Sequence, residues 1–579
     1  MNEEWKGKAE HGLFQIKRPE KWKFLFLALF LFLFILWITY ADFHSSLRFS
    51  KQPGYYDAPF SLQIQGGGQY RIFYTLDGSK PTQESIPYEG EIYLEDASNH
   101  ENVYSARTDT STAFYTELVE QYSSENPGYT VPDYKVDKCN IVRACAFDQS
   151  GNCVDSITGS YFIGFSEKAA YNGLWTVSLI TDPDNLFGFE NGIYVTGKAF
   201  EEYKKLLPDE NTPLRGSWWW WTGNYSERGK EAEREANIEI LRPDRSLVLA
   251  EECGIRVQGN GSRGKLPKSL SVYARREYSG SDEFSADIFG IGDESHKFVL
   301  FSGADDSEYK LKDYMVNTME AGLDFCTMDF LPAALFLDGE FWGVYYITES
   351  YHSDYFADHY GVSQDEVIVV KEELVTEGKE EEAQLYLDMR EYIAGNDMAQ
   401  AQNFEKAQTL MDMGSYIDYY AAQIFIGRSG DWPKKNEGAW RTRSIVSGSE
   451  YADGRWRWLL YDVNSGGLST VEEDTLAYVL EADSVFASLF QNTGFKERFA
   501  ERLLYMADEV YSPQKVDAFI DSYLGTLMEP LCLSNLRFNG RDLRTEKTEN
   551  AERIRAFLKE RPVYIEQMIA NHIGPEYLE

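Results

Sequence analysis

The sequence predicts an α+β protein in which one N-terminal transmembrane helix and a β-sandwich precede a larger mixed domain. Three observations predict it. An uncharged apolar run occupies 24–41, apolar and polar residues alternate between 60 and 75, and after about residue 167 short strand patterns mix with helical ones. With 579 residues, 43% of them apolar and 15% aromatic, the chain can bury substantial cores, and its length suggests about two to four domains. A net charge of −38 argues against nucleic-acid binding, which draws on basic patches for most of its affinity. It is compatible with basic protein substrates, or simply with solubility.

The run from Phe24 to Ala41 approaches the thickness of a bilayer core, about 27 Å at the helical rise, with Trp22, Trp37 and Tyr40 placed for its edges. Lys6, Lys8, Lys17, Arg18, Lys21 and Lys23 precede it, whereas only Arg48 and Lys51 follow closely. The positive-inside rule therefore puts 1–23 in the cytoplasm and the chain after about residue 42 outside, as a single-pass signal anchor in the cell membrane. The alternative is a cleaved signal peptide, against which stand the length of the run and the lack of a clear A-x-A site after it. Cys139, Cys145 and Cys153 cluster, while Cys253, Cys326 and Cys532 are scattered. An oxidising compartment permits a bridge among the first three, and buried thiols are the alternative. With no CxxC and no local histidine cluster, zinc is not expected.

Residues 46–166 read as all-β. Phe60, Leu62 and Ile64 alternate, Gly66-Gly-Gly68 turns the chain, and 69–75 alternate again before the Asp77-Gly78 turn. Pro53-Gly-Tyr-Tyr56, Tyr74-Thr-Leu-Asp-Gly-Ser-Lys-Pro-Thr82, Ile141-Val-Arg-Ala144 and Tyr161-Phe-Ile-Gly164 resemble the immunoglobulin-like module at the C-terminus of chitobiase and β-hexosaminidases. That resemblance implies a spacer or packing domain, with a carbohydrate contact as the lesser alternative. The polar run from Asn99 to Asp133 reads as an insertion between strands.

Residues 167–579 carry the chemistry. Asp431-Trp-Pro-Lys-Lys-Asn436 is followed by a hairpin pattern that ends in Tyr461-Asp462-Val463-Asn464. This orders an acid, an amide and a second acid as a protein-kinase site does. There one Asp accepts the proton of the substrate hydroxyl, and an Asn and a later Asp hold the metal ions. In the second strand of the hairpin Trp456, Trp458 and Leu460 share a face, with Asp462 next on it, and 447–454 form the connecting loop. An amphipathic helix from Met411 to Phe425 delivers the chain to Asp431, and helices are expected at Pro513 to Met528 and Glu549 to Ala570.

Several motifs in order resemble the CotH-like spore-coat kinase family over about residues 167 to 570. They are Trp175-Thr-Val-Ser-Leu-Ile180, Ala236-Asn-Ile-Glu-Ile-Leu241, Gly254-Ile-Arg-Val-Gln-Gly259, Pro267-Lys-Ser-Leu-Ser-Val-Tyr-Ala-Arg275, Leu335-Phe-Leu-Asp-Gly-Glu-Phe-Trp-Gly-Val-Tyr345, Asp431-Trp-Pro and Trp458-Leu-Leu-Tyr-Asp462. The resemblance implies an atypical protein-kinase-like catalytic domain that uses ATP with Mg²⁺ or Mn²⁺ to phosphorylate serine or threonine of a cell-surface or spore-coat protein. Carried over by position, Asp431 is catalytic and Asn436 and Asp462 hold metal. Lys268 meets the nucleotide phosphates with Arg263 as a second candidate, and Glu349 is a partner for Lys268. Asn464 stands where an Asp is usual, which weakens metal affinity by replacing a charged oxygen ligand. Lys312, before Asp313, stands where an arginine is commoner.

The loop Gly259-Asn-Gly-Ser-Arg-Gly-Lys-Leu266 satisfies G-x-G-x-x-G and most of a P-loop. Leu266, however, lacks the metal-binding hydroxyl, and strand patterns flank the loop on both sides. It is either a tight turn or a loop that closes over phosphates. Trp218 to Trp221 either stack on a sugar or an adenine or pack at a junction. Two readings from other classes stand beside the kinase. One is a non-catalytic surface scaffold that binds wall or glycan components. The other is a two-carboxylate glycosidase, which gives no role to Asn436 or Lys268.

Overall fold

A computed structural model describes residues 46–110, 131–206, 218–291, 295–464 and 466–578. The expected cytoplasmic segment 1–23 and membrane span 24–41 lie outside the described residues. Among the described residues no helix is long and apolar enough to cross a membrane.

The alternation at 60–75 folds as expected, into a small sandwich. A five-stranded sheet runs in the order Gly54–Tyr56, Cys153–Ile163, Asn140–Phe147, Arg71–Thr75, Ile86–Pro87. Facing it are two short pairs, Phe60–Leu62 with Ile92–Leu94 and Arg48–Phe49 with Ile64–Gln65. Leu62, Ile64, Ile92, Leu94, Val142 and Ile163 meet between the layers. Cys145 and Cys153 form a disulfide across the hairpin of the two long strands, and Cys139, Cys253, Cys326 and Cys532 are buried thiols.

The second unit begins with a closed barrel. Its strands run Trp175–Ile180, Arg234–Leu241, Leu247–Val257, Leu270–Tyr273, Lys297–Phe301, Glu340–Thr348, Phe330–Leu337. The ring closes where Trp175–Ile180 pairs in parallel with Phe330–Leu337, Val177 opposite Leu335. Leu179, Ile238, Ile255, Val272, Leu300 and Ile347 fill it. A second lobe follows, built on a four-stranded sheet ordered Leu374–Glu377, Val367–Lys371, Glu437–Thr442, Arg457–Leu460 and packed by helices. The helix Met413–Phe425 is buried on nearly all sides, beyond the single stripe its pattern predicts, because the sheet and the later helices enclose it. Asp412 caps its start by accepting the Gly414 and Ser415 amides. The last two helices, Pro513–Asn539 and Arg544–His572, each extend beyond their expected bounds.

The two units share a core. Cys139, Ile141, Phe162 and Phe165 of the sandwich pack with Ile180, Leu241, Phe336 and Phe341 of the barrel, the rings of Phe162 and Phe336 lying 5.0 Å apart. The Cys139 amide donates to the Gly339 carbonyl at 2.9 Å, and the Phe341 amide to the Asp137 backbone carbonyl at 2.8 Å. The insertion after Asn99 takes part, since the Val103 and Ser105 amides donate to Glu340. Of the two roles expected for the sandwich, this is the packing one.

One acid on this seam titrates abnormally. Glu239 is fully buried; its Oε2 accepts the Ser160 amide at 3.0 Å, and its Oε1 has no partner. Burial pushes its carboxyl up to about 8, offset only in part by the Ser160 bonds. The folded chain thus holds a proton that the unfolded chain releases near 4.5, so this group's contribution to stability falls as pH rises from about 4.5 to about 8. Glu239→Gln is therefore expected to gain thermal stability over the parent progressively between pH 5 and pH 8. Parallel melting curves at several pH values check this, and a pH-independent difference would contradict it.

Candidate active site

The site is built where the buried helix Met413–Phe425 ends. Arg561, from the last long helix, donates to the Ile424 and Phe425 carbonyls at 2.9 Å each, satisfying groups that a helix end leaves open. The chain turns at Gly427, with φ of +69°, and reaches Arg428. Arg428 is fully buried, and its guanidinium donates to Gln423 Oε1 at 2.8 Å, to the Tyr461 carbonyl at 3.1 Å and to the Asp462 carbonyl. It joins the segment leading to Asp431 to the segment carrying Asp462.

Asp431 is held by its neighbours. Trp432 is buried, its Nε1 donating to the Tyr419 hydroxyl at 3.0 Å, and the Tyr478 hydroxyl donates to the Gly430 and Trp432 carbonyls at 3.1 and 2.9 Å. The next residues curl back. The Lys435 amide donates to the Asp431 carbonyl at 2.7 Å, and Asn436, with φ of +54°, donates from Nδ2 to Asp431 Oδ2 at 3.1 Å. Asn436 also gives its amide to Glu372 at 3.1 Å. The four-residue spacing read from sequence thus closes into contact between the acid and the amide.

The hairpin brings in the second acid. Glu437 pairs with Leu460 in the antiparallel ladder, so Asn436 and Asp462 leave the same end of it. Trp456, Trp458 and Leu460 are buried in the lobe core, as their alternation predicts. From the helix Lys312–Glu320, the buried Asp313 accepts the Val463 amide at 2.8 Å and Asn464 Nδ2 at 2.9 Å. Burial pushes the Asp313 carboxyl up to about 7, and the negative charge of Asp462 adds to the effect. Burial also raises Asp462, against the pull of Arg428 and Lys371. The Lys371 ammonium lies 4.5 Å above the Tyr461 ring. An arrangement of two acids that resist ionising together is relieved by a cation.

Asn464 fits its place for a reason not visible in sequence. Its amide nitrogen bonds Asp313, where a carboxylate would set a third negative charge, and its buried Oδ1 has no partner. Among the described residues no group of three or more His, Cys, Asp or Glu is spaced to hold a metal by itself. The donors present are carboxylate and amide oxygens, which suit Mg²⁺ or Mn²⁺ in a shell completed by phosphate oxygens and water.

Three expected site residues stand elsewhere. Lys268 is fully buried and donates to the Arg263 carbonyl at 2.6 Å and the Lys265 carbonyl at 3.3 Å, its ammonium 4.0 Å over the Tyr225 ring. Burial, with the Arg263 charge adding to it, holds that ammonium well below its usual range. Arg263 is buried too, and its guanidinium donates to the carbonyls of Tyr225, Val257 and Glu227. Glu349 does not pair with Lys268. It accepts the Asp329 amide at 2.9 Å and pairs with His359 Nε2 at 2.6 Å. For Arg263 and Lys268 the cause is the set of backbone carbonyls, from Tyr225, Glu227, Val257, Arg263 and Lys265, that take up their donors. Lys312, the other position singled out, donates to the Gly467 carbonyl at 3.3 Å.

This geometry agrees with an independent comparison of sequence. The sequence model described as CotH kinase protein matches residues 255–565, more than half of the chain. The chain belongs to this family. The same comparison matches residues 61–161 to a module described as Fn3 associated, which corrects the sandwich's expected likeness to the chitobiase module to a loose one. No curated protein matches the chain. The CotH match includes Asp431, Asn436 and Asp462, and begins after the first two barrel strands, so the shared core lies across its edge.

Arg428 and the carboxylate role of Asp313 escaped the sequence reading. The one available signal was an arginine three residues before Asp431. Replacing Arg428 with Met leaves the Tyr461 and Asp462 carbonyls without their donor, at about 1–3 kcal/mol for each group left unsatisfied. Arg428→Met is expected to unfold at clearly lower denaturant than the parent, and an unchanged midpoint would show that the guanidinium does not hold the two segments.

Proposed function

We propose that this CotH-family chain is an ATP-dependent protein serine/threonine kinase anchored in a membrane by residues 24–41. The observation that carries the reading is the Asp431–Asn436 contact beside the Asp462 turn, an acid, amide and acid joined through Arg428. In the reaction the substrate hydroxyl oxygen forms a bond to the γ-phosphorus of ATP, the bond from that phosphorus to the β-γ bridging oxygen breaks, and ADP leaves. Asp431 orients the hydroxyl and accepts its proton. Asn436 and Asp462 would hold Mg²⁺ or Mn²⁺, with Asn464 Oδ1 a further oxygen and Asp313 fixing the turn. The bound metal supplies charge neutralisation at the phosphates. The half-buried setting of Asp431 leaves it open to a protein substrate, whereas Asp313 and Asn464 are buried.

One observation favours a second reading, the non-catalytic scaffold. The lysine expected to meet phosphate, Lys268, is enclosed. Transfer of label from γ-³²P-ATP, with Mg²⁺ and then Mn²⁺, to a basic serine-rich test protein separates the two. The parent is expected to label it, and Asp431→Ala and Asp462→Ala to lose at least about a hundredfold in rate. No label, together with no ATP-dependent rise in melting temperature, would leave the scaffold.

The charge pattern around 24–41 supports an extracytoplasmic kinase domain, supplied with nucleotide by release, by lysis or within an enclosed compartment such as a developing spore. The disulfide in the sandwich is consistent with an oxidising side. Protease added to intact cells is expected to degrade the C-terminal part, and its full protection would reverse the orientation.

A further inference from the structure

The loop Gly259–Leu266 and the residue pair after it carry three cations that a nucleotide could meet, and the fold disposes of two of them. Arg263 and Lys268 turn inward and spend their donors on backbone carbonyls. Lys265 turns the other way. Its side chain is 25% exposed, and its ammonium pairs with Asp305, itself 44% exposed, in the turn Ala304–Asp306 that follows the strand Lys297–Phe301. Asp305 adjoins Asp306, whose carboxylate accepts the Leu311 and Lys312 amides at 2.7 and 2.9 Å, at the start of the helix whose Asp313 bonds Val463 and Asn464 beside Asp462. The pair therefore lies between the barrel strand Lys297–Phe301 and the helix that fixes the Asp462 turn.

The loop is braced in this position. The Lys265 ammonium lies 4.8 Å from the Trp219 ring, and Trp219 and Trp220 belong to the short turn Trp218–Trp220 that backs the loop. A Cβ on Gly264 would meet the Trp219 backbone at 2.3 Å, and one on Gly261 would meet the Trp220 ring at 2.8 Å. Both glycines are thus required by close approach rather than by a need for mobility. A braced loop with two cations locked inside presents its third cation at a set place.

We infer that Lys265, and not Lys268, is the lysine that binds the nucleotide phosphates, and that Asp305 holds it in the absence of nucleotide. An ion pair this exposed is worth little, so a polyphosphate of higher charge displaces the Asp305 carboxylate readily. Lys268 is a positioning residue that supports the loop from within. This assignment rests on the nucleotide reading above.

Binding of the Mg²⁺ complex of a non-hydrolysable ATP analogue to the detergent-solubilised full chain, followed by calorimetry, tests it. Lys265→Met is expected to weaken binding about tenfold or more while keeping the parent's melting temperature, and Lys265→Arg to restore most of the affinity. Asp305→Asn, which frees the lysine, is expected to bind at least as tightly as the parent. Lys268→Met is expected to show its loss in the melting temperature. If the parent binds and Lys265→Met binds equally well, the Lys265 assignment is overturned while the kinase reading stands. If the parent itself does not bind the analogue, both fall together.

Discussion

A single buried guanidinium sets the relation between the two loops of the site. Arg428 has planar donors in a fixed fork, and they meet acceptors from both segments, Gln423 behind Asp431 and the carbonyls of Tyr461 and Asp462. The ladder between Glu437–Thr442 and Arg457–Leu460 aligns Asn436 with the Asp462 end of the hairpin. Strand pairing alone leaves the loops free to swing about the hairpin end. The guanidinium removes that freedom, and Arg561 fixes the helix end from which Arg428 projects. Asp313, on the helix Lys312–Glu320, holds Val463 and Asn464 in turn.

What could be read from sequence was what depends on local period and spacing. The hairpin was legible because Trp456, Trp458 and Leu460 alternate, and the spacing of Asp431 and Asn436 was legible, although their contact was seen only in the structure. The sandwich strands and Trp175–Ile180 were legible for the same reason. The direction of a long cationic side chain was not. Arg263, Lys265 and Lys268 lie within six positions of one another, and which of them turns inward depends on where the Tyr225 and Glu227 carbonyls arrive from a separate segment. Barrel closure was equally hidden, since no local pattern says that Trp175–Ile180 pairs with Phe330–Leu337. Asn464 looked like a weakened ligand in sequence, and only the position of Asp313 gives its amide a purpose.

The seam between the sandwich and the barrel alters the meaning of a domain boundary in this chain. A composition change near residue 167 marks where one pattern gives way to another, yet Phe162 and Phe165 lie in the same apolar cluster as Phe336 and Phe341. Polar groups are matched across the seam as well, the Tyr55 hydroxyl with that of Thr176 at 2.6 Å and the Ser160 hydroxyl with that of Ser178 at 2.7 Å. Separating the units would expose this apolar surface and leave those groups without partners, so the two behave as one cooperative body.

The parallel closure of the barrel also orders events in time. The first barrel strand gains its antiparallel neighbour at Arg234–Leu241, but its other edge stays open until Phe330–Leu337 has been made. Between the synthesis of Ile180 and that of Phe330–Leu337 a nascent chain therefore carries an unpaired, apolar strand edge, the kind of surface that recruits other strands. The sandwich, complete much earlier, packs over part of this same region through Phe162 and Phe165. The face of the first strand that carries Ile180 thus has an apolar partner in the chain before the strand that closes the barrel exists.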